Sequence, residues 1–233
     1  MIIPSARRRP VFLRALGWFG SFVVGLLVFQ FVAQFRTPAQ NPAASTPAER
    51  MALRFVERAL TIPALRERLK DVPSIARLAA AMALAGEALV YLGDSLLLER
   101  AQLVRRMYQL VDDSSCGAIV QGHPSRSQLL QAVGTLDSAS QERWVEITAT
   151  AIESQYGGRA TPSVVTATVF KASLDKLLAR SPRDIAQRLT IALGSLDSVS
   201  RPEACWAART LYSRVLVAPP SERRVLVRGL VQR

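Results

Sequence analysis

Few residues of this chain have the type and spacing for covalent chemistry. Cys116 and Cys205 are the only cysteines, and His123 is the only histidine. Cys116 and His123 form a C-x6-H pair in one segment, the order of a thiol nucleophile and its base. No third residue with the pattern of an orienting acid accompanies them, and the thiol has a competing use. In an oxidising compartment two cysteines favour a disulfide. A Cys116–Cys205 bridge would close a long stretch of chain and stabilise it by roughly 2–5 kcal/mol. Two buried free thiols are the alternative, because sequence does not carry the geometry a bridge needs. One histidine without any C-x-x-C argues against the usual transition-metal ligand sets, so no metal and no cofactor is expected.

Glu153 and Ser154, in AIESQYGG, resemble the Glu-Ser step at the active site of lysozyme-like lytic transglycosylases. That resemblance would make Glu153 a general acid acting on a cell-wall glycan. The Gly-rich segment ending in a G-L-M-Q type motif that follows in that family has no counterpart here. The competing reading makes Glu153 a solvated position on a helix that stops at Gly157-Gly158. Phosphate loops, Gly-x-Gly-x-x-Gly and the Ser/His/Asp orders do not occur. No catalytic residue is assigned, and the chain is expected not to be an enzyme. A Glu153→Gln variant with an unchanged phenotype would remove the enzyme reading.

The elements that must position these residues begin with an apolar run, ALGWFGSFVVGLLVFQFVA, from Ala15 to Ala33. At 1.5 Å per residue its 19 or so positions reach roughly 28 Å, close to the hydrocarbon thickness of a bilayer. Residues 15–35 are therefore expected to be an uncleaved signal anchor, the apolar run being longer than a signal-peptide core. Arg7, Arg8, Arg9 and Arg14 precede it, whereas Arg36 and Arg50 follow. That asymmetry puts the tail 1–14 in the cytoplasm and the rest across the membrane, periplasmic if the cell is a bacterium. Gly17, Ser21 and Gly25 recur every fourth residue and share a helix face. Such spacing lets two membrane helices approach closely, a homodimer being the simplest case.

Residues 36–47 contain Pro38, Pro42 and Pro47 and read as an extended spacer. From residue 48 to 233 the pattern is helical, rich in Ala, Leu and Arg and poor in β-branched runs, so the body is expected to be all-α, of about nine helices. Its formal charge is strongly positive, +12 for the whole chain, with lysine only at 70, 171 and 176. The arginines are spread rather than clustered, which excludes a nucleic-acid face. A stretch of turn formers from Asp112 to Ser127 reads as a loop with Cys116 at its centre. Leu96, Leu103, Met107 and Leu110 are expected on one helix face, opposite Arg105 and Arg106. Pro162 is expected to open a helix running to Arg180. The basic amphipathic tail SERRVLVRGLVQR is expected to pack on the body with its arginines in water, a membrane surface or partner groove being the alternative.

Beyond the loop the chain repeats itself. VGTLDSAS at 133–140 returns as LGSLDSVS at 193–200. Each copy follows a Pro-initiated helix (Pro124, Pro182) and precedes a helix with a tryptophan (Trp144, Trp206). Gly134 and Gly194 are expected to end their helices at positive φ, with Asp and Ser capping the next helix and Ser200 and Glu203 forming a capping box. The helix from Pro73 with its YLGDSL sequel is a candidate third copy. An anchor, a spacer and a duplicated helical hairpin, like a short α-solenoid, suggest a protein-binding scaffold of a bacterial envelope or secretion assembly. An anchored immunity or inhibitor protein against a toxin is the rival within binding, and a cell-wall enzyme the rival outside it.

Overall fold

The computed structural model describes residues 84–158 and 160–232, residues 60–72, and scattered positions between 50 and 80. The expected anchor with Gly17, Ser21 and Gly25, the spacer, and most of the helix expected from Pro73 lie outside these residues. The described residues are all-α, with no strand, and none of their helices is long and apolar enough to cross a membrane. In chain order the helices are α1 (Pro63–Leu69), α2 (Asp94–Leu110), α3 (Asp113–Val120), α4 (Arg126–Gly134), α5 (Ser138–Tyr156), α6 (Ala167–Ala179), α7 (Arg183–Gly194), α8 (Arg201–Leu216) and α9 (Pro220–Val231). A 3-10 turn, Leu89–Tyr91, precedes α2.

The bundle is centred on α8, which packs against α3, α2, α7 and α9. Its buried residues, Ala204, Cys205, Ala207, Ala208, Leu211, Tyr212 and Val215, are mostly small on the side that meets α3. Small side chains let helix axes approach closely, and here the approach is extreme: a Cβ on Gly117 of α3 would lie 2.1 Å from the Arg201 carbonyl oxygen. On the far side of α2, α5 packs against α2, α1 and the 3-10 turn, while α9 closes over α6 and α2.

Several expected boundaries move. The stretch after Val111 is not a loop. Asp112 accepts a hydrogen bond from the Ser115 N–H at 2.9 Å, which starts α3, and Ser115–Val120 are all buried. The segment at Pro162 is not helical either. α6 begins only at Ala167, capped by Thr166, and the Ser163 N–H instead reaches the Val90 carbonyl at 3.2 Å. On α2 the buried stripe is Leu97, Arg100, Ala101, Val104, Met107 and Tyr108: Met107 is buried as expected, Leu97 and Val104 take the places expected of Leu96 and Leu103, and Leu110 is 53% exposed.

The repeated octapeptide is used in two ways. In the first copy Asp137 caps α5, accepting from the Ser140 N–H at 2.8 Å. In the second the chain runs three residues further and Ser200 caps α8, accepting from the Glu203 N–H. Pro202 explains the shift: proline fits only the first turn of a helix, so a helix starting at Ser198 would put it where its ring clashes. The capping box expected at Ser200 is half formed, since the Glu203 carboxylate pairs with Arg188. A complete box forms at Ser125 and Gln128. The carbonyls exposed in both turns are satisfied by a glutamine amide. Gln141 serves Leu136 at 2.8 Å, and Gln121, which caps the end of α3, serves Leu196 at 3.0 Å and Val199 at 2.7 Å.

Gly134 and Gly194 do end α4 and α7, yet neither has positive φ; Gly122 and Gly158 do. A second glycine with a packing role, besides Gly117, is Gly229 of α9, where a Cβ would sit 1.9 Å from Cδ2 of the buried Phe170 ring. Gly229→Ala is therefore expected to destabilise by about 1–3 kcal/mol through overpacking. Gly134→Ala, with nothing within 4 Å of its Cβ, is expected to be neutral or to stabilise by up to about 1 kcal/mol. Urea denaturation reads both as midpoint shifts at unchanged slope.

Candidate functional site

Cys116 and Cys205 form a disulfide that joins α3 to α8, with a Cα–Cα distance of 5.2 Å. Both are fully buried. The Cys116 sulfur is thereby committed, and His123, exposed beyond Gly122, forms no pair with a thiol; its N–H closes the end of α3 on the Ala118 carbonyl at 2.9 Å. Arg209 of α8 reinforces the same junction. It donates to the last carbonyls around α2, Tyr108 and Val111, both at 2.6 Å, and pairs with Asp113 at 2.6 Å.

Glu153 lies on the outer face of α5. Its carboxylate meets Arg58 Nη2 at 2.9 Å and belongs to a ladder in which Arg54 pairs with Glu142 at 2.6 Å and Arg58 also approaches Glu146 at 3.7 Å. Helical positions 54 and 58 and the α5 positions 142 and 146 are each four apart, so the ladder ties Arg54 and Arg58 to the outer face of α5. Among the described residues no cluster of His, Cys, Asp or Glu could hold a metal ion.

Under this surface lies a buried cation that the sequence pattern did not announce. Arg100, 4% exposed, stacks its guanidinium 4.5 Å from the centre of the Trp144 ring. Burial lowers its pKa to about 10, which leaves it charged at neutral pH. Nearby, Tyr108 and Tyr212 meet edge to face at 5.7 Å, and burial holds both phenols neutral, Tyr212 being pushed up to about 12. Position 100 falls on the apolar stripe of α2, so the available signal was a charge in register with Leu97, Ala101 and Val104.

Among the described residues a groove lies between the start of α2 and α9. It encloses about 150 Å³ and is lined by Asp94, Ser95, Leu97, Leu98, Pro220, Arg223, Arg224 and Val227. Leu97 and Val227 are buried and form its floor. Asp94 is held from within by Arg228 Nε at 2.5 Å and from outside by Arg224 Nε at 3.0 Å. Arg228, expected in water, is 9% exposed; it also donates to the carbonyls of Leu92 and Ser163, both at 3.3 Å. Two guanidiniums, Arg224 and Arg228, thus meet one carboxylate, and Arg223 lines the same groove. Arg224 is the most solvated of the pairs' cations here, with a side chain 62% exposed.

Among the described residues five carboxylates are held below their ordinary range. For Asp112 and Asp137 the main cause is the backbone N–H of the residue three further on. For Glu99, Glu203 and Glu222 it is a hydrogen bond from Arg143, Arg188 and Arg180. A lowered folded pKa contributes stability above the unfolded value and loses it as pH falls through the folded one. The melting temperature is therefore expected to fall on acidification below about pH 4. Asp112→Asn with Asp137→Asn keeps both caps and removes their titration, so thermal melts of that variant should fall less steeply between pH 6 and pH 3. Comparison with protein-family models, with characterised proteins and with solved structures returns no match.

Proposed function

We propose that this chain is a membrane-anchored helical domain that works outside the cytoplasm by binding another protein, as a scaffold of a bacterial envelope or secretion assembly. The observation that carries the reading is the buried Cys116–Cys205 bridge. Structural disulfides persist in oxidising compartments and are rare in cytosolic proteins. The arginine-rich lead before an apolar run of bilayer length independently supports that side for the body. The helical surface, with a charge ladder on α5, an arginine-rich groove beside α9 and a stacked Arg188–Trp206 pair 3.9 Å apart, carries the residue types that dominate protein interfaces.

The test uses the full chain in cells. A reporter enzyme active only after export, fused behind Arg233, is expected to be active, and alkylation without reductant should find no free thiol. Co-purification from detergent-solubilised membranes is expected to recover resident envelope proteins. A reporter active only in the cytosol, or two alkylated cysteines, overturns the compartment. Recovery of one secreted toxin in their place favours the inhibitor reading over the scaffold.

A further inference from the structure

We infer that the groove between α2 and α9 receives an acidic segment of a partner protein, one large apolar side chain entering the groove while neighbouring carboxylates meet Arg223 and Arg224. The inference rests on the reading of the chain as a protein-binding domain and names the surface that does the binding. About 150 Å³ is the space that takes a benzene-sized group, well below the 300–1,000 Å³ or so typical of drug-sized ligands. It therefore suits a single anchor side chain. Leu97, Leu98, Pro220 and Val227 supply apolar walls.

Charge selects the occupant. Asp94 is already satisfied from the buried side by Arg228 at 2.5 Å, so the contact from Arg224 at 3.0 Å adds a second cation to one anion. Arg223, on the same wall, spends one nitrogen on the Leu216 carbonyl at 3.2 Å. The nearby Glu222 does not offset this excess because it pairs with Arg180. The rim is left with surplus positive charge beside an apolar slot, complementary to acidic residues flanking an aliphatic or aromatic one. Planar guanidiniums also match carboxylates in a forked geometry.

The test titrates the full chain in detergent with a fluorescein-labelled peptide, Glu-Glu-Leu-Phe-Glu-Glu, and with its counterpart bearing lysine for every glutamate. Saturable binding of the acidic peptide is expected, weakening as salt rises. R223E/R224E is expected to bind it roughly tenfold more weakly and to gain the lysine peptide. Leu98→Gln, which leaves the arginines in place, is expected to lose the acidic peptide as well; helix content and an intact disulfide show that both variants fold. Equal binding of the two peptides by the wild-type chain, or an unchanged R223E/R224E variant, overturns the assignment. Binding to phosphatidylglycerol vesicles and not to peptide replaces the protein occupant with a lipid surface and overturns it too. Co-purification of envelope partners alongside a flat titration leaves the binding role standing and removes this groove alone.

Discussion

Replacing Cys116 and Cys205 together by alanine is expected to lower the stability of the domain by about 2–5 kcal/mol. The residues are 89 apart in sequence, and the chain-entropy account of so long a loop gives about 4–5 kcal/mol. Alanine is the better replacement because Ala118, Ala204, Ala207 and Ala208 beside the bridge are already fully buried; serine would bring two polar hydroxyls into this apolar junction. The helices approach closely at this point because Gly117 has no Cβ to strike the Arg201 carbonyl. Gly117→Ala should therefore push α3 off α8 and strain the same junction. Urea denaturation of oxidised, reduced and doubly substituted protein is the measurement, with the reduced and alanine forms expected to coincide. A double variant within about 0.5 kcal/mol of the oxidised chain would mean that packing and Arg209 alone hold α3, and that the bridge restrains nothing.

The helical class and the Trp144 and Trp206 helices were legible because they depend on local signals: periodicity and caps. The cysteine pair was legible from composition, though its setting was not. Asp112, Asp113, Ser114 and Ser115 carry turn propensity, and the burial of Ser115–Val120 against α8 overrides it; a contact distant in sequence decides the conformation. Pro162 failed for the mirror reason. It suits a helix start, but the Ser163 backbone is drawn to Val90 and Arg228, partners some 65–75 residues away in sequence.

The repeat shows where sequence similarity and structure part. Leu136 and Leu196 occupy matching positions and are both buried, so the turn is conserved in its packing. The helix that follows is not, because Pro202 stands where the first copy has Glu142. Arg201 likewise stands where the first copy has Gln141, and the vacancy left for the turn carbonyls is filled from the end of α3 by its C-cap Gln121. One substitution moved a helix start, and a second was answered by a residue on another element. The fold around the candidate groove was out of reach in the same way: nothing local in α9 indicates that Arg228 will meet Asp94, 134 residues earlier.

That contact carries the other large expected effect. Arg228→Met should destabilise the domain by about 3 kcal/mol, the lower end of what breaking a buried ion pair costs. The lower end applies because Asp94 keeps Arg224 at 3.0 Å and the Ser163 carbonyl keeps Gln232 at 3.4 Å, whereas the Leu92 carbonyl loses its Arg228 donor. Arg228→Lys retains the charge but cannot fork to three acceptors, and an intermediate loss of about 1–2 kcal/mol is expected. The damage should be regional as well as global. α9, the 160–166 segment and the start of α2 meet at this guanidinium, so hydrogen exchange should accelerate there before it does at the α3–α8 junction. A double-mutant cycle with Asp94→Asn isolates the pair, and a coupling above about 1 kcal/mol is expected. A methionine variant costing under about 1 kcal/mol, with unchanged exchange in α9, would show that Arg224 alone holds Asp94 and that the buried cation is dispensable.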